Sequence, residues 1–233
     1  MKNPNSVVMA IASGVIGLVI LAILWQAAAM AVGDARLVPS LPAVLARLGQ
    51  LLISGLFWSE ALVSLQHFVV GYVPALIGIP LGLAFAAVMP LRIVLGGLVN
   101  GLAAAPLIAS APLLTGWFGI GDGAKIALVF VVAFFALTSD VMTGLAAGAA
   151  SGKAPDEAPG AARCIIAALR RSFVLAVAAM LVGEIVASAH GLGYLLMNSM
   201  MVFDFPQTVA VLLAVALPCA VVAGAARWIE ELV

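Results

Sequence analysis

Charge is scarce in this sequence. Ten Lys and Arg with ten Asp and Glu make up 9% of its 233 residues, against roughly 25% in an average soluble domain. That excludes an ordinary water-soluble enzyme. A formal net charge of zero also leaves no basic excess to neutralise a phosphate backbone, so nucleic acid is excluded as a partner. Cysteine is scarce as well. Cys164 and Cys219 stand far apart in apolar surroundings without C-x-x-C spacing, and read as small buried hydrophobes.

What is present instead is apolar length, since 65% of the residues are hydrophobic. A helix needs about 20 apolar residues, each rising about 1.5 Å, to cross a bilayer of about 30 Å. Four charge-free gaps suffice: Asn3 to Gly33, Ala61 to Leu91, Ile93 to Gly121 and Phe205 to Ala226. Two more, Ile126 to Gly152 and Ser172 to Phe203, qualify apart from one interior carboxylate each, Asp140 and Glu184. The reading is an all-α membrane protein of about six transmembrane helices, near 7–32, 62–89, 93–118, 124–147, 169–189 and 206–227. A signal peptide is the alternative for the first stretch, with Lys2 ahead of it and small residues at Ala27–Ala29. The run from Val7 to Met30 exceeds the roughly 7–15 residues of a signal core, which favours a retained helix.

Orientation follows from Lys and Arg. With the N-terminus inside, Lys2, Arg92, Lys153, Arg163, Arg170, Arg171 and Arg227 fall inside and Arg36, Arg47 and Lys125 outside, seven against three. Both termini are then cytoplasmic. Trp25, Trp58, Trp117 and Tyr194 come to the outer interface and Trp228 to the inner one, as an aromatic belt requires. Between the first two spans an outer amphipathic helix is expected over 41–54. Ser40 can cap it, Pro42 suits its first turn, Val44, Leu45, Leu48, Leu51 and Leu52 share a face, and Gly55 stops it. It lies on the membrane surface or packs against the bundle.

Reactive constellations are thin. The stretch Gly148 to Ala154 approaches a P-loop, but it is one residue short, ends in Ala and follows a helix, so any ATP hydrolysis belongs to another chain. His67 near the outer end of the second helix and His190 in an outer loop form neither a dyad nor a metal site, and read as interfacial or packed. No catalytic or metal-ligating residue is assigned. Asp140 and Glu184 mark either a pathway or structural contacts near the inner and outer surfaces, Glu184 leaning to a structural or gating role. Gly78–Gly82, Gly97–Gly101 and Gly144–Gly148 permit close helix approach, and Pro80, Pro106, Pro112 and Pro218 interrupt helices.

The order of segments resembles a family, the permease subunits of nitrate/sulfonate/taurine-class ABC importers. Leu37 to Leu45 is similar to its L-P-S-P-x-x-V-L. Ser64-Leu65, Gly71-Tyr72 and Gly78 to Leu83 resemble its second helix. Ala105-Pro106, Ala111 to Leu114, Trp117 to Gly121 and Lys125 to Ala127 resemble P-x5-P-L-x3-W-F-G-I-G-x3-K-I, the most specific block. Gly183-Glu184-Ile185, Gly191 to Tyr194 and Phe203-Asp204 match the remaining elements.

The resemblance implies one permease domain over 1–233 with a type I importer (MetI-like) bundle. It implies a cytoplasmic coupling loop over 148–168, where the stretch from Asp156 to Arg163 stands for the E-A-A-x3-G dock with either Glu157-Ala158 or Ala161-Ala162-Arg163 as its remnant, without the glycine and with the stretch before Leu169 shortened. It further implies a second copy or homologous permease, a pair of ATPase subunits carrying ATP and Mg, a periplasmic or lipid-anchored substrate-binding protein, and residence in a bacterial inner membrane. No cofactor is expected in this chain. The cargo expected is a small organic or inorganic anion. Asn100, Ser110, Thr115, Thr138, Ser139, Asp140 and Glu184 are candidates for the translocation path, and Met197, Met200 and Met201 for an adaptable outer gate. Interhelical hydrogen bonding and packing are the alternatives for these residues. The competing function is a stand-alone secondary transporter driven by protons through Asp140 and Glu184, or a scaffold.

Overall fold

The computed structural model describes residues 4–34, 36–150 and 160–232. Among them every regular element is helical: α1 (Pro4–Val32), α2 (Leu41–Leu52), α3 (Gly55–Ala75), α4 (Gly78–Ala87), α5 (Met89–Ala104), a 3₁₀ turn (Leu107–Ser110), α6 (Ala111–Phe118), α7 (Asp122–Ala150), α8 (Ala161–Ala187), α9 (Leu192–Met201) and α10 (Phe205–Leu232). Gly55–Ala87, Asp122–Gly148, Ala161–Ala187 and Phe205–Glu230 are long and apolar enough to cross a membrane, and a bent pair of segments makes a fifth span if counted as one. α1 adds the apolar stretch Ile16–Val32.

The bent pair corrects the expected single span over 93–118, in which Pro106 was read only as an interruption. Met89–Ala104 and Leu107–Phe118 meet at 77°. Pro106 has no N–H for the Leu102 carbonyl and forces extended backbone on Ala105, which sits at φ −66°, ψ 149°. The Ala105 N–H covers the loss by donating to both Gly101 O at 3.0 Å and Leu102 O at 3.2 Å. Pro80 acts more gently. Ile79 N–H takes the Leu76 carbonyl that Pro80 cannot reach, so the second span is broken into α3 and α4 without ending. That span starts at Gly55, ahead of the expected 62, and takes in Glu60. The fifth helix starts at Ala161, ahead of 169, because Cys164 and Ala168 pack against α7. Only 151–160 therefore separates α7 from α8, where a loop over 148–168 was expected.

The chain divides into two compact units, Met1–Ser54 with Leu196–Ala214 and Gly55–Leu195 with Val215–Val233. In the first, the N–H of Trp25 Nε1 donates to Pro39 O at 2.9 Å and the Leu41 N–H donates to Gln26 Oε1 at 3.0 Å. Gln26 thus supplies the cap expected from Ser40, whose side chain makes no capping bond. α2 buries Val44 and Leu51 but exposes Leu45 and Leu52, so the expected apolar face is divided. Asp204 accepts from Gln207 N at 3.1 Å at the start of α10 and pairs with Arg47 at 2.6 Å.

The second unit is built around α7. Gly71, Ala75, Gly78 and Gly82 follow one another at helical spacing along α3 and α4, meeting Ile126 and Val129, then Phe134 and Thr138, then Val141 in order, so the two elements run parallel to α7. α8 runs antiparallel to it, with Gly144 against Cys164 at one end and Gly183 against Lys125 at the other. Leu128, Val129 and Ala133 of α7 and Ala176 and Ala179 of α8 form the buried core. Gly97 and Gly101, by contrast, have open space where a Cβ would stand.

Candidate functional site

The start of α7, the end of α8 and the first half of α3 meet in a buried polar cluster, all of it within the second unit. α3 places Glu60, Ser64 and His67 on one face, at intervals of four and three residues. α8 contributes Glu184, whose side chain is fully enclosed. α7 contributes Asp122 and Lys125, and the turn after α8 contributes Ser188 and the backbone of Gly191 to Gly193.

Glu184 is met by two donors and by the His67 ring. His67 Nδ1 lies 2.9 Å from Oε1, while the Ser64 hydroxyl at 2.8 Å and the Gly193 N–H at 2.9 Å donate to Oε2. Ser64 Oγ accepts the Leu192 N–H at 2.7 Å, and Glu60 Oε2 accepts the Gly191 N–H. Three consecutive N–H groups at the start of α9, which an isolated helix would leave unpaired, thus end on side chains from α3 and α8. His67 Nε2 faces Asp122 Oδ1 at 3.1 Å, and Lys125 Nζ donates to the same oxygen at 2.9 Å and to Ser188 Oγ at 2.9 Å. His190 Nδ1 stands 3.4 Å from Glu60 Oε1.

The glycines of this turn are required by shape. Gly191 has φ +105°, and a Cβ on it would strike the Glu184 carboxylate. A Cβ on Gly193 would collide with the Leu181 carbonyl and the Glu184 side chain. The backbone must come this close for its N–H groups to reach buried oxygens.

At the opposite end of the α7/α8 pair lies a second set of charges. Arg171 donates to Asp140 Oδ1 at 2.8 Å, and Arg170 faces Glu230 of α10 at 3.4 Å. From Arg171 to Glu184 is thirteen residues of α8, or about 20 Å. Asp140 and Glu184 therefore stand on separate levels, and Asp140 Oδ2 is buried without a hydrogen-bond partner.

The structure brings some of the sequence candidates together and separates others. Asn100 Oδ1 accepts from Ser139 at 2.8 Å, joining α5 to α7. Ser110, Thr115 and Thr138 donate to the carbonyls of Leu107, Ala111 and Phe134 within their own segments. Met197, Met200 and Met201 lie exposed along α9. Ala161, Ala162 and Arg163 form the exposed first turn of α8, whereas Asp156, Glu157 and Ala158 lie outside the described residues. Of the two readings expected for His67, interfacial or packed, the structure has the packed one, with the ring buried between two carboxylates. Glu60 and Asp122 were not singled out from the sequence, and Ser64 and Lys125 entered only through the family pattern and the charge count, not as site residues. The spacing of 60, 64, 67 and 71 on one helical face was the available signal.

Residues 156–233 match the family described as binding-protein-dependent transport system inner membrane component. A protein of Methanocaldococcus jannaschii named as an ABC transporter permease is 24% identical over 229 residues, covering 90% of this chain and 86% of the relative. The riboflavin transport system permease protein of Chloroflexus aurantiacus is 29% identical over 216 residues, covering 86% and 81%. The taurine transport system permease protein of Escherichia coli K12 is 25% identical over 157 residues, covering 61% and 57%.

These matches support a permease subunit of a binding-protein-dependent ABC importer, and the membrane-length helices support a multi-pass membrane protein. The class is one of transport permeases, which work with ATPase and substrate-binding partners.

Proposed function

We propose that the whole chain acts as one permease domain in the inner membrane of a bacterium, both termini cytoplasmic. It pairs with a second copy or a homologous permease around a central path for a small solute of the nitrate/sulfonate/taurine class. Small organic or inorganic anions are the cargo we infer. Taurine and riboflavin, the cargoes in two relatives' names, are both small organic molecules. ATP and Mg reside in a pair of partner ATPase subunits, this chain carries no cofactor, and a periplasmic or lipid-anchored binding protein delivers the solute.

The observation that carries the reading is the extent of the family match, which begins at Asp156 and runs through α8 to the end of the chain. It takes in the segment from Asp156 to Arg163 that would dock on the ATPase. Beyond that segment, packed helices lead inward. Cys164 against Gly144, Arg171 on Asp140 and Arg170 on Glu230 tie the start of α8 to α7 and α10. A push on the docked segment would then move three helices together, as alternating access between two facings requires. Asn100, Ser139 and Asp140 would line the path, with Ser110, Thr115, Thr138 and Glu184 beside it and the methionines of α9 at its outer gate. The separation of Asp140 from Glu184 argues against the proton-driven alternative.

The test is purification of the tagged chain from its native membrane, with co-purifying proteins identified and ATP hydrolysis assayed. A stoichiometric P-loop ATPase is the expected result. A chain that comes down alone, with no associated hydrolysis, overturns the coupling and reinstates the stand-alone carrier.

A further inference from the structure

Polar side chains of the second unit collect along one strip of α7. Ser139 donates to Asn100 of α5, and one position on, a turn of about 100°, Asp140 accepts from Arg171 of α8. α5 and α8 therefore flank α7 on two sides. Between them Val132, Ala136, Thr143 and Ala147 share one face of α7, and the first two are buried while the last two are exposed. Two walls and a bare floor make a furrow, closed toward the start of α7 and open toward its end.

The charge of this furrow is unbalanced. Arg171 is 66% exposed, and among the described residues a single hydrogen bond, from Nη1 to Asp140 Oδ1 at 2.8 Å, engages its guanidinium. Most of its five donors are left for a ligand. On the opposite wall Asn100 meets Ser139 and Gly96 meets Met142, so α5 runs antiparallel to α7 and Arg92 follows one turn further, beyond Thr143. Arg92 is half-buried and forms no ion pair among the described residues. Its Cγ stands 3.8 Å from where a Cβ of Gly96 would be, so its stem follows the seam of α5 on α7. The two arginines thus bracket Thr143 from opposite walls, about 9 Å apart along the axis of α7. Against these two cations stands one carboxylate, Asp140, with one oxygen committed to Arg171 and the other buried. Lipid tails offer such side chains no partner.

We propose that the furrow is a binding site for a small oxyanion, a sulfonate, phosphate or carboxylate group held between Arg171 and Arg92. The planar fork of a guanidinium matches such groups, and two forks on facing walls can share one anion. Asp140 competes with the anion for Arg171 and keeps the site weak, as a path that must also release its solute requires. The site follows from the geometry of the second unit. That its anion is cargo, and not the phosphate of a lipid headgroup, rests on the importer reading.

The experiment follows the unfolding midpoint of the full-length chain in a neutral detergent as methanesulfonate replaces chloride at constant ionic strength. The parent midpoint is expected to rise to a plateau, as it does for a ligand of the folded state. Arg171→Gln and Arg92→Gln are each expected to lose the rise, and Arg36→Gln, in the other unit, to keep it. Asp140→Asn is expected to lower the half-saturating concentration severalfold, which loss of a merely structural ion pair would not do. No saturable rise in the parent, an undiminished rise in Arg171→Gln, or an Asp140→Asn chain that binds no tighter overturns the site. Should Arg171→Gln fail to fold, the Asp140→Asn titration still decides. A second arm repeats the titration in phosphatidylcholine nanodiscs with and without phosphatidylglycerol. A rise that persists with phosphatidylglycerol assigns the site to a solute anion, and one that it abolishes assigns the site to lipid phosphate. Neither arm involves an ATPase, so failure here leaves the importer reading to its own test.

Discussion

The Gly193 N–H donates to Glu184 Oε2 at 2.9 Å, across the turn that separates α8 from α9, and the same glycine has no room for a side chain. Reach and shape are therefore one requirement at this turn. Gly193→Ala must push either the Leu181 carbonyl or Glu184 aside, and Gly191→Ala adds an unfavourable backbone to its own collision. Positive φ alone costs about 1–3 kcal/mol. Both variants are expected to unfold at lower denaturant in a detergent titration, Gly191→Ala by at least that amount, whereas Gly97→Ala and Gly101→Ala, with open space at the Cβ position, should match the parent.

Removing Glu184 takes the acceptor from the Ser64 hydroxyl and the Gly193 N–H, and the partner from His67 Nδ1, in a sealed site. Each unsatisfied group costs about 1–3 kcal/mol, so Glu184→Ala should destabilise the chain by several kcal/mol. Glu184→Gln keeps an acceptor oxygen and should fall between parent and alanine. Equal stability of Gln and Ala variants would show that the hydrogen bonds are not what Glu184 supplies. The readout is the unfolding midpoint of the purified chain.

The approach of α3 and α4 to α7 depends on absent side chains. A Cβ on Gly71 would stand 2.7 Å from the Ile126 carbonyl oxygen and from Val129 Cβ, and one on Gly82 2.8 Å from Val141 Cβ. Overfilling a packed interface costs about 1–3 kcal/mol, so Gly71→Val and Gly82→Val are expected to lower stability by that amount or more. Loss of stability on Gly97→Val but not on Gly71→Val would contradict the packing described.

Asp140 pairs with an arginine that is 66% exposed, and exposed pairs are weak. A double-mutant cycle with Asp140→Asn and Arg171→Gln is expected to give a coupling energy of no more than about 1 kcal/mol. Uptake by Asp140→Asn should keep its dependence on ATP. Loss of a pH-driven flux instead would point to the carrier reading.

The spans were legible because long apolar runs leave few alternatives. α7 and α8 follow directly from the stretches on either side of Asp140 and Glu184. Their ends were not, because charges were read as boundaries and several of those charges lie inside helices. Glu60 marked the start of a gap, yet it lies inside α3 with its carboxylate on the Gly191 N–H. Arg170 and Arg171 marked the end of a loop, yet each reaches a carboxylate from within α8. The bend at Pro106 was expected only as an interruption, since a proline in sequence gives a break but no angle. The polar cluster was illegible as a cluster. Glu60, His67, Asp122 and Glu184 come from separate segments, and only the packing of α3 and α8 on α7 brings them within hydrogen-bond reach.

The stripe of Gly71, Ala75, Gly78 and Gly82 has a mechanical side. A glycine leaves a notch on its helix that a side chain of the neighbour can enter. Val129 of α7 stands where a Cβ of Gly71 would be, and Val141 where one of Gly82 would be. The notches are thus filled from the facing helix, so the stripe sets the register of α3 and α4 along α7, and with it the height of Ser64 and His67 against the start of α7.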